Sequence, residues 1–414
     1  MSAALAERLL ASLPPAADED SRAARAAFLA AGLPDRKVES WRYSTLAGLA
    51  ALDASAGAAV ALDLPELAGL SGTLVERRGG EYLLCADLPP GVVVAVGAES
   101  SRELLRADGE EARGTSPLLR QTQAFRWLAV EGVEEVLTID VASTVEGVWR
   151  LALLHDALGF AQSRVRIRVR AGAAITLVEH LFGGDDAIGL TNRLLDIELE
   201  SGASLTLIRV QESGAKAHSI QRTTARIASG ARLEWVSLEL GGLWSRHELA
   251  LDLAGAQANA KVTGLVALQG RQHHDTQLSL THAVGTASSR TLWKAIANAR
   301  SRSVFNGVIT VAPGADQTEA HLRTSNLLLS PHAEIDTKPE LVIEADEVVC
   351  SHGATVGQLD DKALFYLRSR GIPEAQARQM LTLAFGGEVL SAVASADLRA
   401  ALAERVSAHM PHTP

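Results

Sequence analysis

From about residue 136 the chain switches to a period of two in its apolar and polar positions, the spacing of a strand with one buried face. Arg164-Val-Arg-Ile-Arg-Val-Arg170 is the clearest run: Val165, Ile167 and Val169 share one face and four arginines the other. A Gly-Ala pair followed by another alternating run then recurs at Gly172, Gly202, Gly230 and Gly255, and subtracting positions gives intervals of 30, 28 and 25 residues. A near-regular period of this size predicts stacked repeats, in which no unit buries its apolar face alone and each leans on its neighbours. Glycine permits a tight bend at each corner, and the small alanine beside it packs inside. Shorter, less even units follow around Gly314-Ala-Asp-Gln-Thr, His332-Ala-Glu-Ile-Asp-Thr and His352-Gly-Ala-Thr-Val. The pattern predicts a β-solenoid over residues 136–359, with a β-sandwich built from Gly-rich hairpins as the alternative.

Both ends read as helical. Residues 3–13 and 20–31 have helical composition, divided by Pro14-Pro15 and closed by Gly32 and Pro34. Between about 60 and 115, short Val/Leu runs such as Gly91-Val-Val-Val-Ala-Val are broken by Gly and Pro, and Leu118 to Val130 reads as one more helix. After Asp360-Asp361, Asp is placed to cap a helix whose apolar face begins with Leu364, Phe365 and Leu367. Gly371 ends it, Pro373 opens the next, and Gly386-Gly387 is expected to break the chain into a last helix over about 388–408. Three regions result: a helical and mixed region 1–135, the solenoid 136–359 and a helical region 360–414.

Composition sharpens this. Hydrophobic residues make up 47% of the chain but aromatics only 4%, so the core must be filled by Ala, Val, Leu and Ile, which suits thin stacked layers. The net charge of −10 leaves no general footprint for nucleic acid. The Arg164–Arg170 strip lacks interleaved aromatics and reads as a solvated sheet face, or as a contact for an acidic partner. Two cysteines far apart in sequence, Cys85 and Cys350, argue against a disulfide framework and point to a reducing cytosol. Glu7 and Arg8 stand where a secretory leader would be apolar, and no uncharged run approaches the roughly 18 residues of a membrane span. A cytoplasmic protein acting on neither membrane nor nucleic acid is expected.

Candidate chemistry concentrates at Cys350 and His352, two residues apart and therefore on one face of a strand, with Ser351 pointing away. A thiol and an imidazole make half a metal site, since iron-sulfur and zinc sites ordinarily take about four protein ligands. A partner would have to complete it. The competing reading is a packed Cys beside a solvated His. His273-His274-Asp275 places adjacent histidines on opposite faces, and these, with His282, read as surface polar residues. His321 and His332, in late coils, are candidates to neighbour His352 across stacked layers. No Gly-x-x-x-x-Gly-Lys-Ser/Thr loop, Gly-x-Ser-x-Gly elbow or His-Glu-x-x-His pair occurs.

Cys350-Ser-His-Gly-Ala-Thr-Val-Gly-Gln-Leu-Asp360 and Leu364-Phe-Tyr-Leu-Arg-Ser-Arg-Gly371 resemble the C-terminal signature of the SufB/SufD family, SufD-type scaffolds of the SUF iron-sulfur cluster assembly machinery. Asn326-Leu-Leu-Leu-Ser, Asp336-Thr-Lys-Pro-Glu-Leu-Val-Ile-Glu-Ala-Asp-Glu-Val and, near the start, Glu39-Ser-Trp-Arg-Tyr-Ser-Thr45 are similar to the same family. The resemblance implies a right-handed parallel β-helix with helical ends, pairing with a SufB paralogue near His352. It also implies an ABC-type ATPase, SufC, docked on the C-terminal helices at Leu364, Phe365, Leu367 and Arg368. Cluster chemistry would then be transient at the interface, with His352 and Cys350 as candidate ligands and no cofactor held by the isolated chain. Whether reduced flavin serves the complex stays open. The alternatives are a SufB-type paralogue, which generally carries more cysteines, and a β-helix carbohydrate-active enzyme, which would need convergent carboxylates.

Overall fold

The structure is a computed structural model that describes residues 2–13, 19–46, 48–49, 52, 63–78, 81–84, 87–97, 124–132, 135–155 and 159–410. Cys85 and residues 118–123 of the expected helix lie outside the described residues. Three strands lead in: β1 (Gly72–Arg78), β2 (Glu81–Leu84) and β3 (Val92–Gly97). The strands that follow alternate between two sheets. One sheet takes β5 (Val148–Leu154), β7 (Ala174–Phe182), β9 (Ser204–Glu212), β11 (Arg232–Glu239), β13 (Asn259–Leu268), β15 (Ser288–Ala297), β17 (Glu319–Leu328) and β19 (Val349–Gly357). The other takes β4 (Val136–Val141), β6 (Gly159–Val169), β8 (Gly189–Leu199), β10 (His218–Ile227), β12 (Trp244–Leu253), β14 (His273–His282), β16 (Arg302–Val311) and β18 (Glu334–Ile343).

Within each sheet, successive strands from β4 onward pair in parallel, so each coil contributes one strand to each sheet: a parallel β-solenoid. At its start β1 extends the first sheet in parallel on β5, and β2 and β3 add antiparallel strands to the two edges.

The corners explain the uneven intervals. Ala173, Ala203, Ala231, Ala258 and Ala287 stack at successive corners, all buried. Each is preceded by a residue with positive φ: Gly172, Gly202, Gly230, then Gln257 at 60° and Thr286 at 63°. The fourth corner is therefore Gln257-Ala258, not Gly255-Ala256, and the interval is 27 residues (230 to 257). Gln257 is held in this disfavoured conformation by the ladder on either side, its N–H donating to Thr286 Oγ1 at 3.2 Å. Gly255 serves packing: a Cβ there would fall 2.1 Å from Ser229 N.

The lumen has two halves. One is aliphatic as expected, with Leu177, Leu205, Leu207 and Leu233 facing Ile197, Ala225 and Leu251. The other is charged. Arg209, 2% exposed, donates to Glu179 on the preceding coil at 2.9 Å, to Glu239 on the following coil at 2.7 Å and to Gln221 at 2.6 Å. His274 and His282 also face inward and are buried, bonding Ser245 and Ser289 at 2.8 and 2.9 Å. They are not the surface residues expected. His273 faces outward and stacks on Trp244, its Nε2 2.9 Å from Ser44 Oγ. Nor is the arginine strip solvated throughout. Arg164 is buried against Asp196 at 2.9 Å, Arg168 pairs with Glu198 at 2.7 Å, and Arg170 bridges Asp140 and Glu200. The acidic partner is the chain's own neighbouring coils.

Helices cover the outer faces. α1 (Ser2–Ala11), α2 (Glu19–Ala31) and α3 (Ala124–Gly132) lie over the even-numbered sheet at Leu190, Ile220 and Trp244. The Glu39–Thr45 segment pins them: Arg246 stacks 4.0 Å over Trp41 and donates to the Ser40 carbonyl at 2.9 Å, while Ser44 donates to Asp275. α4 (Asp361–Ser369), α5 (Glu374–Leu390) and α6 (Ala396–His409) form the C-terminal layer, α5 and α6 packing on the odd-numbered sheet. α5 runs straight through Gly386-Gly387, where a break was expected. A Cβ on Gly386 would come 2.7 Å from Met410 Cε and 3.2 Å from Leu265 Cδ2, so the glycine lets helix, sheet and α6 approach closely. Among the described residues no helix is long and apolar enough to cross a membrane.

Two expectations follow. Gly264 lies opposite Trp293 of the next coil, and a Cβ there would fall 2.2 Å from the indole ring; Gly264→Ala should cost roughly 1–3 kcal/mol by overpacking, read as a lower urea midpoint. Burial, aided by Arg193, pushes His155 down to about 3, and burial pushes His282 down to about 4. In the unfolded chain both take up a proton near 6.5, so the unfolded state binds more protons between that value and about 4. Stability should therefore fall as pH is lowered across this window, by about 1.4 kcal/mol per pH unit for each histidine. Urea titrations at stepped pH measure the slope, and His282→Gln should make it shallower.

Candidate functional site

The solenoid ends on β18 and β19, each the last strand of its sheet, so each leaves one row of backbone N–H and C=O groups without a neighbouring strand. The two edges differ. β18 carries Lys338, Pro339 and Glu340 in the middle of its ladder, the residues that protect an edge from further pairing. β19 reads Val-Cys-Ser-His-Gly-Ala-Thr-Val-Gly, with no charged residue of either sign and no proline. Val349 and Val356 on this strand are 64% and 47% exposed.

Cys350 and His352 lie at the start of β19. Their register partners on β17 are Ala320 and Leu322, both buried lumen residues, so thiol and imidazole continue the inward-facing row where the lumen opens. Cys350 is half-buried against the end of the aliphatic core, and burial raises its thiol above the ordinary value, holding it protonated. His352 is exposed. Among the described residues no group of three or more His, Cys, Asp or Glu side chains is placed to hold a metal ion. The pair fits half of a four-ligand set.

His321 does not join it. Its register partner is Ser351, so it occupies the opposite face of the sheet from His352, and it bonds Ser351 Oγ at 2.7 Å and Glu319 at 3.0 Å. His332 sits in the turn before β18.

Beyond β19, Asp360 accepts from the Lys362 N–H at 2.9 Å and caps α4. Gly371 at φ 84° ends it, with Ile372 N–H donating to the Leu367 carbonyl and Gly371 N–H to that of Arg368. Leu364 is buried and Leu367 half-buried, one helical turn apart. Phe365 is not on that inward face. It is 72% exposed and Tyr366 beside it 57%, an aromatic pair on the surface, next to Arg368, which is 3.3 Å from Glu374. Sequence periodicity misses this pair because Leu364 and Phe365 are adjacent apolar residues, and only packing decides which turns inward. The role of the Glu39–Thr45 segment, clamped through Arg246 and Asp275, was equally hidden.

Comparison with known proteins fits this geometry. The family model described as SUF system FeS cluster assembly, SufBD core domain, matches residues 153–385, more than half of the chain. The iron-sulfur cluster assembly protein SufD of Escherichia coli (strain K12) is 31% identical over 400 residues, covering 93% of this chain and 91% of its own. An iron-sulfur cluster assembly SufBD family protein of Synechocystis sp. is 29% identical, covering 91% and 87%. Protein ABCI7, chloroplastic, of Arabidopsis thaliana is 34% identical over 247 residues, 58% of this chain and 51% of its own. The solenoid, its helical ends and these likenesses together make the chain a member of the SufBD family of iron-sulfur cluster assembly proteins.

Proposed function

We propose that this chain is the SufD-type, non-ATPase scaffold subunit of a cytoplasmic SufB-SufC-SufD type complex, pairing with a SufB paralogue through the free edge of β19. The observation that carries the reading is that edge: a terminal strand free of charge and proline, with a thiol and an imidazole side by side on its inward row. A partner strand added there satisfies the open ladder and brings its own side chains up to Cys350 and His352. Iron and sulfide are cargo at this junction. His352 is the freer donor, exposed and able to ligate through a neutral ring nitrogen or to carry a proton. Cys350 must lose a proton first, against the burial that favours its neutral form.

Nucleotide chemistry belongs to the partner in this reading, because the sequence has no phosphate loop. Phe365 and Tyr366 are suited to anchor an ABC-type ATPase of the SufC kind, with Arg368 beside them and Leu364 and Leu367 holding the helix down. ATP binding would move that subunit and so shift the junction between two arrangements, the free energy coming from the nucleotide.

His352→Ala should leave subunit stoichiometry intact and remove most of the iron and sulfide from the purified complex, with Cys350→Ser having the smaller effect. Unchanged cluster content in the His352 variant would exclude this residue, and loss of a subunit would make its role structural. Substituting Phe365→Ala and Tyr366→Ala together should weaken ATPase binding at least about thirtyfold, since buried aromatic anchors commonly contribute roughly 2 kcal/mol or more. Titration calorimetry against the isolated ATPase measures it, and equal affinity would place the docking surface elsewhere.

A further inference from the structure

A second constellation of reactive side chains lies on the opposite face of β19 from Cys350 and His352. Ser351 is exposed there, with its Oγ 2.7 Å from His321 Nδ1 on β17. The other ring nitrogen of His321, Nε2, is 3.0 Å from Glu319 Oε1. A carboxylate only accepts, so the ring proton sits on Nε2 and Nδ1 is left to accept from the Ser351 hydroxyl. Hydroxyl, imidazole and carboxylate are thus joined in the order that activates a serine.

Register builds the chain of three. Glu319 and His321, two apart on β17, share the outer face, and Ser351 is the residue opposite His321 on the next strand. Arg290, opposite His321 on the other side, lies 3.6 Å from the Glu319 carboxylate. The hydroxyl is open to a reactant. Its outward neighbours along β19 are Val349, which is exposed, and Gly353, where even an added Cβ would meet no atom within 4 Å. The His321 side chain is itself 30% exposed. A donor for a developing oxyanion is also at hand. Val349 N–H donates to the Thr318 carbonyl at 2.9 Å, and successive residues of a strand turn their N–H groups to opposite sides. Ser351 therefore bonds β17 as Val349 does, and the N–H of His352, the residue after the hydroxyl, points to the free edge.

We propose that Ser351 is an acylatable nucleophile, with His321 as its general base and Glu319 as the residue that positions the ring, giving the chain an esterase activity toward small activated acyl esters. Ser351 Oγ bonds the acyl carbon while its proton passes to His321 Nδ1. The ester C–O bond then breaks, and the leaving alcohol takes that proton. Water repeats the sequence on the acyl-serine, releasing the acid and restoring the hydroxyl. A strand paired with β19 would take the His352 N–H, so the activity belongs to the chain with its edge free; the inference does not depend on the scaffold reading.

The test treats the purified full chain with p-nitrophenyl acetate and, separately, with diisopropyl fluorophosphate, and locates the modified residue by peptide mass spectrometry. Both reagents should label Ser351, and Ser351→Ala, at an exposed position, should remove label and turnover together. His321→Gln should slow labelling of Ser351 about a hundredfold, the lower end of what a positioned base contributes. Glu319→Gln should lower kcat for p-nitrophenyl acetate roughly tenfold with KM unchanged, the equivalent of one hydrogen bond to a charged group. An unlabelled Ser351, labelling at the same rate in the His321 variant, or turnover that survives Ser351→Ala would each overturn the proposal.

Discussion

Parallel, in-register pairing of every coil with the next is the constraint from which the remaining architecture follows. It satisfies the backbone of each strand only through its neighbours, so residues about 30 positions apart become adjacent and like stacks on like. Alanines stack at the corners, aliphatic residues stack in one half of the lumen, and opposite charges stack where arginines meet acids. The same pairing must stop somewhere. At β18 and β19 it leaves two open ladders, and the different residue types on them separate a guarded edge from an available one.

The charged half of the lumen answers a stacking problem. Arg209 reaches a glutamate on the coil before and another on the coil after, so a buried cation is matched by anions from both sides. Removing either glutamate would leave the guanidinium in a dry interior with half its partners, whereas the intact set is hydrogen-bonded. A one-coil slip would break this match, which gives the charged row a share in setting the register that aliphatic contacts alone lack.

How much of this was legible depends on how far apart the determining residues lie. Period two in Val165, Ile167 and Val169 is local, and it revealed the strand directly. The shared face of Cys350 and His352 was equally local, being a matter of two residues. Which face His321 would share was not, because that depends on its pairing with Ser351, 30 residues on. Buried His274 and His282 looked like surface residues because their partners, Ser245 and Ser289, lie on other strands and not beside them in sequence. Gly255 and Gly386-Gly387 misled for a different reason. Glycine marks both a bend and a close approach, and at these places Ser229, Met410 and Leu265 supply the reason, none of them nearby in sequence.

A stack whose units touch only their neighbours frays from its ends and comes apart coil by coil. Here the C-terminal helices cross that grain. Their apolar face meets Val178, Ile208, Val236, Leu265, Ile296 and Leu327, which belong to six successive strands of one sheet, β7 to β17. The layer works as a splint laid along the rod. Losing one coil would strip a rung from the splint's footprint as well as from the stack, so coils far apart along the axis share a single fate on unfolding. A pull on the splint is likewise felt along most of the rod at once, a mechanical reach that no nearest-neighbour contact provides.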